Sequence, residues 1–289
     1  MQSESTQVGL MRFESIGTQW QIDTPEPIPQ TLRTALARRI DEFDRTYSRF
    51  RDDSLVARIA TTPGRHEFPA DAPPLFDLYR RLHSATAGRV SPLVGGSLDA
   101  LGYDRTYSLR ARAAAPAPTW DDAVAWDGTA LTTVRPVSID VGAAGKGYLV
   151  DIVGRMLVGA GIPQFTIDAS GDILHSGAPI RVGLEHPLDP SKAIGVATVS
   201  GAICASAANR RAWGNGLHHV IDATTGLPTS AVIATWAIAA TALAADGLAT
   251  ALFFADPAML EQSFDFTWVL MREGGRVEFS PRFEGEIFR

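Results

Sequence analysis

The sequence predicts an α+β fold in which mixed or antiparallel sheets pack against helices. Two observations carry that prediction. Helix-periodic and strand-like segments come in unequal runs rather than strict alternation, unlike a doubly wound parallel sheet. Two glycine-centred hairpin signals, Asp127-Gly128 and Gly274-Gly275, sit between strand-like segments. The 289 residues are enough to bury a full core. They read as a single domain over 1–289, in one body or in two intimately packed lobes.

Thr31 to Phe43 places Leu32, Leu36, Ile40 and Phe43 on one helical face. A polar loop with two aromatics follows, Tyr47 to Ser54. The helical pattern returns from Leu75 to Ala85, with Leu75, Leu78, Tyr79 and Leu82 on one face; Asp71 and Pro73-Pro74 mark its start. Ala111 to Pro118 is rich in alanine and proline and reads as a surface loop. After Lys146 a helix presents Leu149, Ile152, Val153, Met156 and Leu157, with Gly159 and Gly161 at its end. Strands are expected at 164–168, 172–175, 180–184, 194–199, 218–222 and 232–240, with a turn at Thr224-Thr-Gly226. A buried helix should run from Ala244 to Phe254, ahead of the Thr267–Met271 and Arg276–Phe279 hairpin. No internal repeat is present.

The net charge of −6 comes from interspersed acids and bases, so no basic footprint points to nucleic acid. No apolar run reaches the roughly 18–20 residues of a membrane span. Met1 to Gly9 is polar and lacks the features of a secretion signal, so a cytoplasmic setting is expected. Cys204 is the sole cysteine and reads as a buried structural thiol.

Ser138-Ile-Asp-Val-Gly-Ala-Ala-Gly-Lys-Gly-Tyr-Leu-Val-Asp151 is the most informative stretch. A short strand enters a glycine loop and then a helix, a context that offers N–H groups and a favourable dipole to phosphate. Lys146 adds a point charge and Asp140 an acceptor. The plainer reading is a tight turn with a surface lysine. The loop is neither a Walker A motif nor a Rossmann fingerprint. His219 and Asp222 precede a Thr-Gly turn. His219 reads either as a general base or as an ordinary strand residue, with Asp222 capping the turn. Asp246 and Thr250 share a helical face. They serve either as cap and back-bonded threonine or as oxygen ligands to a hard cation, for which Mg²⁺ is the expectation.

In order along the chain these segments resemble the FAD:protein FMN transferase (ApbE-type) family. Ile16-Gly-Thr18 is similar to its Met-Gly-Thr start and Ser48-Arg-Phe-Arg-Asp-Asp-Ser54 to its Ser-x-aromatic-x-x-Asp-Ser loop. Val94 to Tyr103 resembles the flavin-wrapping segment, and Asp140 to Asp151 the Asp-x-Gly-Gly-x-Ala-Lys-Gly-x-x-x-Asp core. Ala169-Ser-Gly-Asp172 is similar to Gly-Gly-Asp, His219-Val-Ile-Asp222 to His-x-Ile-Asp, and Ala245 to Thr250 to Ala-Asp-x-x-x-Thr.

The resemblance implies a Mg²⁺ held by Asp246, Thr250 and a loop carbonyl near Ala143, with Ala249 beside them. It implies FAD bound by Asp140, Gly145 and Lys146. Ile16, Phe50, Asp99, Leu101, Gly102, Tyr103 and Ile221 would lie against flavin or adenine. His219, with Asp222 in its motif, would deprotonate a threonine or serine of an acceptor flavoprotein, which takes FMN while AMP leaves. FAD hydrolysis to FMN and AMP, and FAD binding without turnover, are the competing readings. Ser170 departs from the family's double glycine, Gly95-Gly-Ser97 from its Gly-Pro, and Leu101 from a tryptophan.

Overall fold

The structure is a computed structural model and describes residues 9–214 and 216–288. Most of the polar N-terminal segment, residues 1–8, lies outside the described residues. A hairpin of β1 (Gly9–Ser15) and β2 (Thr18–Thr24) opens the chain, followed by α1 (Gln30–Tyr47), α2 (Leu55–Ile59) and β3 (Gly64–Glu67). Next come α3 (Pro73–Ala85), α4 (Gly95–Ala100), α5 (Trp120–Ala123), β4 (Val124–Trp126), β5 (Ala130–Thr133) and α6 (Gly145–Gly159). A strand-rich stretch holds β6 (Phe165–Asp168), β7 (Asp172–Ser176), β8 (Ile180–His186), β9 (Asp189–Val199) and β10 (Ala202–Ala207). Two short ribbons follow, β11 (Ala212–Trp213) with β12 (Leu217–His218) and β13 (Ile221–Asp222) with β14 (Leu227–Pro228). The chain closes with β15 (Val232–Ala239), α7 (Ala242–Ala251), α8 (Pro257–Glu261), β16 (Thr267–Arg272), β17 (Val277–Phe279) and β18 (Gly285–Ile287).

The eight strands β1-β2-β6-β7-β10-β15-β16-β17 form the main sheet in that spatial order, and its pairings are antiparallel. This is the α+β architecture that the unequal runs predict. Side chains of a strand alternate between faces, and here the alternation sorts them into two cores. Ala202 and Cys204 of β10 and Trp268 and Leu270 of β16 join the helix-side core with α1, α3, α6 and α7. Ile203, Trp236, Val269 and Met271 point the other way, onto the small sheet β18-β9-β8 through Leu184, Ile194, Ala197 and Val199. Cys204 is fully buried, as expected.

Several boundaries differ from the sequence reading for local reasons. Tyr47 belongs to α1, not to the loop after it, because its ring packs on Phe43 at 4.6 Å. α7 starts at Ala242 rather than Ala244, since Thr241 accepts the Ala244 N–H and caps the helix. The expected strand 218–222 is broken between His218 and Ile221: the His218 ring accepts the Val220 N–H at 3.2 Å and turns the chain. The β1–β2 hairpin was not foreseen. Its two-residue turn puts Ile16 at φ 46° and Gly17 at φ 73°, the paired left-handed geometry of a tight hairpin. Asp127-Gly128 and Gly274-Gly275 both form the turns anticipated for them.

Candidate active site

A cleft of about 1520 Å³ opens where the glycine loop before α6, the β6–β7 turn, the 48–51 loop and the 210–221 segment converge. Its floor is set by the contact between α6 and α7. A Cβ on Gly147 would stand 2.1 Å from the Ala242 carbonyl oxygen, so only glycine allows this approach. The Gly147 N–H donates to Asp246 Oδ2 at 2.9 Å. Reciprocally, the Ala242 and Leu243 N–H groups donate to the two oxygens of Asp151, each at 2.9 Å. The Gly145 N–H donates to the Val141 carbonyl at 2.7 Å. The N–H groups of Gly142, Ala144, Gly145 and Gly147, expected to face a phosphate, are therefore taken by protein acceptors.

Asp246 stands inside α7 rather than at its cap, 5% exposed and lining the cleft. Lys146 Nζ lies 2.6 Å from Asp172 Oδ2 and donates to the Ala169 carbonyl at 2.7 Å. Burial pulls the Lys146 ammonium down, but Asp172 and Asp246 more than restore it, so the lysine stays charged. Burial, then the charge of Asp172, pushes the Asp246 carboxyl well above the usual carboxylate range. Asp172 is raised by burial too, against the opposing pull of Lys146. The sequence reading quoted Asp172 only as part of a motif and did not assign it to the site.

Two buried carboxyls that share one lysine ionise together only at a cost that a further cation would offset. The Thr250 hydroxyl donates to the Ala143 carbonyl at 3.4 Å, which brings those two oxygens to the same place. Asp246, Thr250 and Ala143 all line the cleft and offer only hard oxygens, a donor set that fits Mg²⁺. Among the described residues no cluster of three or more His, Cys, Asp and Glu forms a metal cage. Ala249, named with them from sequence, is fully buried, and its carbonyl accepts the Thr235 hydroxyl at 2.6 Å.

Arg49 is the hub that sequence reasoning passed over. It is 7% exposed. Its guanidinium donates to Asp140 Oδ2 at 2.5 Å, Asp99 Oδ1 at 2.8 Å and the Tyr103 carbonyl at 2.7 Å. Asp140 also accepts the Gly142 N–H at 2.7 Å. Burial raises the Asp140 carboxyl, yet Arg49 and that N–H overcome it and hold it below its ordinary value. Asp99 is raised by burial, only partly offset by Arg49. Across the cleft, Ser170 occupies the left-handed turn position at φ 55°, and its hydroxyl donates to the Gln19 carbonyl at 2.9 Å. The serine thus keeps the turn geometry despite its departure from glycine.

Tyr103 lies 5.5 Å from Trp213 in a stacked arrangement, and its hydroxyl accepts from Arg211 at 2.5 Å. Phe50 meets Tyr103 edge-on. Leu101 is buried in this small core, its carbonyl accepting the Trp213 N–H at 2.9 Å. Gly102 adopts φ 90° and lets Arg110 pass 2.4 Å from where a Cβ would be. Ile16, Phe50, Tyr103, Gly145 and Ile221 line the cleft; Asp99, Leu101 and Gly102 support its wall from behind.

His219 also lines the cleft, and its Nδ1 is buried without a hydrogen-bond partner. Burial, then the nearby Arg211 and His218, lower its pKa to about 4, so the ring is neutral at pH 7. Asp222 does not join it. That carboxylate accepts the Thr224 N–H at 2.8 Å and the Thr224 hydroxyl at 2.6 Å, closing the turn, and lies 3.6 Å from Arg89. His218 is spoken for by the Thr229 carbonyl at 2.8 Å.

The arrangement can hold an anionic, ring-bearing ligand beside a neutral imidazole. The chain is 25% identical to a FAD:protein FMN transferase of Klebsiella pneumoniae, over 96% of this chain and 85% of that protein. It is 26% identical to one of Vibrio cholerae, over 77% of this chain and 73% of that protein. Two solved structures share the fold. The flavin transferase ApbE of Vibrio cholerae has a TM-score of 0.80 at 22% identity, with 95% of this chain and 97% of that one covered. The ApbE protein of Thermotoga maritima has a TM-score of 0.81 at 23% identity, with the same coverage. The model of the ApbE family matches residues 16–265, and the chain belongs to that family.

Proposed function

We propose that this protein transfers the FMN portion of FAD to a threonine or serine hydroxyl of an acceptor flavoprotein, releasing AMP. The observation that carries the reading is convergence in one cleft: a half-buried, neutral imidazole, a carboxylate–lysine cluster and a wall of aromatic rings. The names of the relatives support it.

Phosphoryl transfer of this kind asks mainly for positioning, charge neutralisation and proton removal. His219 takes the proton of the acceptor hydroxyl on an imidazole nitrogen. The freed oxygen bonds to the FMN phosphorus, the bond from that phosphorus to the bridging oxygen breaks, and AMP leaves with the electron pair. Arg211, beside His219 on the cleft wall, would meet the diphosphate of FAD bound there. That anion would offset the charge of Arg211, the second cause of the lowered pKa after burial, and so make the imidazole a better base. Asp246, Thr250 and the Ala143 carbonyl are the groups that would hold Mg²⁺, whose contribution when bound is neutralisation of phosphate charge. Lys146 keeps Asp172 and Asp246 compatible with each other.

Intact-mass spectrometry of an acceptor domain, incubated with the protein, FAD and Mg²⁺, tests the proposal. The expected result is one added FMN mass, absent with EDTA, with AMP formed in step. His219→Asn should slow transfer by about 10²–10⁴-fold while FAD still binds; transfer at the parental rate would sink the base assignment. AMP without a modified acceptor would move the reading to FAD hydrolysis.

A further inference from the structure

Phe50 and Tyr107 stand as two parallel plates on a common floor. Their ring centroids are 5.2 Å apart and their planes 1° from parallel. Each meets Tyr103 edge-on, at 5.5 Å and 76°. Both line the cleft.

The plates are held very differently. Phe50 follows Arg49, whose guanidinium lies 4.3 Å from the Phe50 ring centroid and is itself anchored to Asp99 and Asp140. Tyr107 is 53% exposed. The loop that carries it is folded on itself, the Tyr107 N–H donating to the Asp104 carbonyl at 2.9 Å, so the freedom lies in the exposed side chain. Asp104 accepts the Thr106 N–H at 2.9 Å and the Ser108 N–H at 3.1 Å, and the Leu109 N–H donates to the Gly102 carbonyl at 2.8 Å. Tyr107 and Leu109 adopt φ of 49° and 52°. Non-glycine residues seldom take that conformation, and its persistence on a ligand-facing loop is a sign of use rather than of stability. Tyr107 belongs to none of the motifs that carry the family resemblance.

We infer that Tyr107 is the movable plate of a ring clamp, and that one planar heterocycle of FAD slots between it and Phe50. The inference rests on FAD being the substrate. At 5.2 Å the two rings stack on each other, so the Tyr107 side chain must swing outward by a ring's thickness to admit a ligand; the opened pair accepts any flat ring, because stacking needs only a π-face. FAD supplies two such rings, isoalloxazine and adenine. Tyr107 is a binding residue in this scheme and takes no part in proton transfer.

Titration of FAD into the protein and into Tyr107→Ala, Tyr107→Leu and Tyr107→Phe tests the clamp. The alanine variant should raise the dissociation constant about ten-fold, the range of a lost base–aromatic stack. Tyr107→Leu keeps bulk but has no π-face, and should bind as weakly as the alanine variant; Tyr107→Phe should restore affinity. The three variants change an exposed side chain, and unchanged melting temperatures would verify the fold. FMN and ADP titrated into parent and alanine variant assign the ring: the half whose affinity falls is the one clamped. Equal FAD affinity for parent and Tyr107→Ala would overturn the clamp and leave the transferase reading standing. Failure of the parent to bind FAD would remove both.

Discussion

The N-terminal ends of α6 and α7 are built alike and used differently. Each is capped by an aspartate from the body of the other helix, Asp246 for α6 and Asp151 for α7. Both carboxylates are buried, and both are raised above their ordinary range primarily by desolvation. Asp151 gives both oxygens to backbone N–H groups and lies away from the cleft. Asp246 gives one oxygen to Gly147, lines the cleft, and sits against Asp172 and Lys146. A capping carboxylate with both oxygens bonded is structure. The same device with an oxygen to spare, next to a second buried carboxylate, is stability held back for a ligand.

The largest effect expected at these helix ends sharpens that contrast. Asp246→Asn keeps an acceptor for the Gly147 N–H and removes a carboxyl whose ionisation burial opposes, so the melting temperature should hold or rise. FMN transfer should fall by about 10²–10³-fold. A variant that melts much earlier than the parent would show Asp246 to be as structural as Asp151.

At the other helix the signs reverse. Asp151→Ala leaves two N–H groups without acceptors in a buried place, at a cost of about 2 kcal/mol. Urea denaturation should register that loss, while the folded fraction keeps parental FAD affinity. Loss of FAD affinity without loss of stability would break the comparison.

The mildest test concerns His219. Its folded pKa of about 4 lies below the ordinary 6.5, so its contribution to stability is fully present above pH 6.5 and is lost as pH falls toward 4. Between pH 7 and pH 5 this amounts to about 2 kcal/mol. The parent should therefore lose more stability over that interval than His219→Asn does. Parallel losses would show that the imidazole is not held in its low-pKa state.

Much of this could be read from local spacing. The helix after Lys146, the strands at 232–240 and 267–271 and the two glycine hairpins follow from period and turn chemistry. Lys146, His219, Asp246 and Thr250 were all named from sequence, and all line one cleft. Asp172 and Arg49 were in view as parts of quoted motifs, but their work was not. Arg49 and Asp140 are 91 residues apart, Gly147 and Asp246 99, and Tyr103 and Arg211 108. Nothing in the neighbourhood of either partner encodes such a meeting. Asp222 shows the opposite hazard. Its place beside His219 in a motif suggested shared chemistry, whereas its carboxylate is spent on the Thr224 turn.

By itself the sequence determined most of the longer helices and strands, which of their faces would be apolar and which residues could carry chemistry. Those properties follow from backbone geometry repeating over a few residues. The tertiary structure alone decided which carboxylate is structural and which is free, that Lys146 answers to Asp172, and that the His219 imidazole is neutral. Those are matters of burial and of charges brought close by chain closure over long distances, and no local pattern contains them.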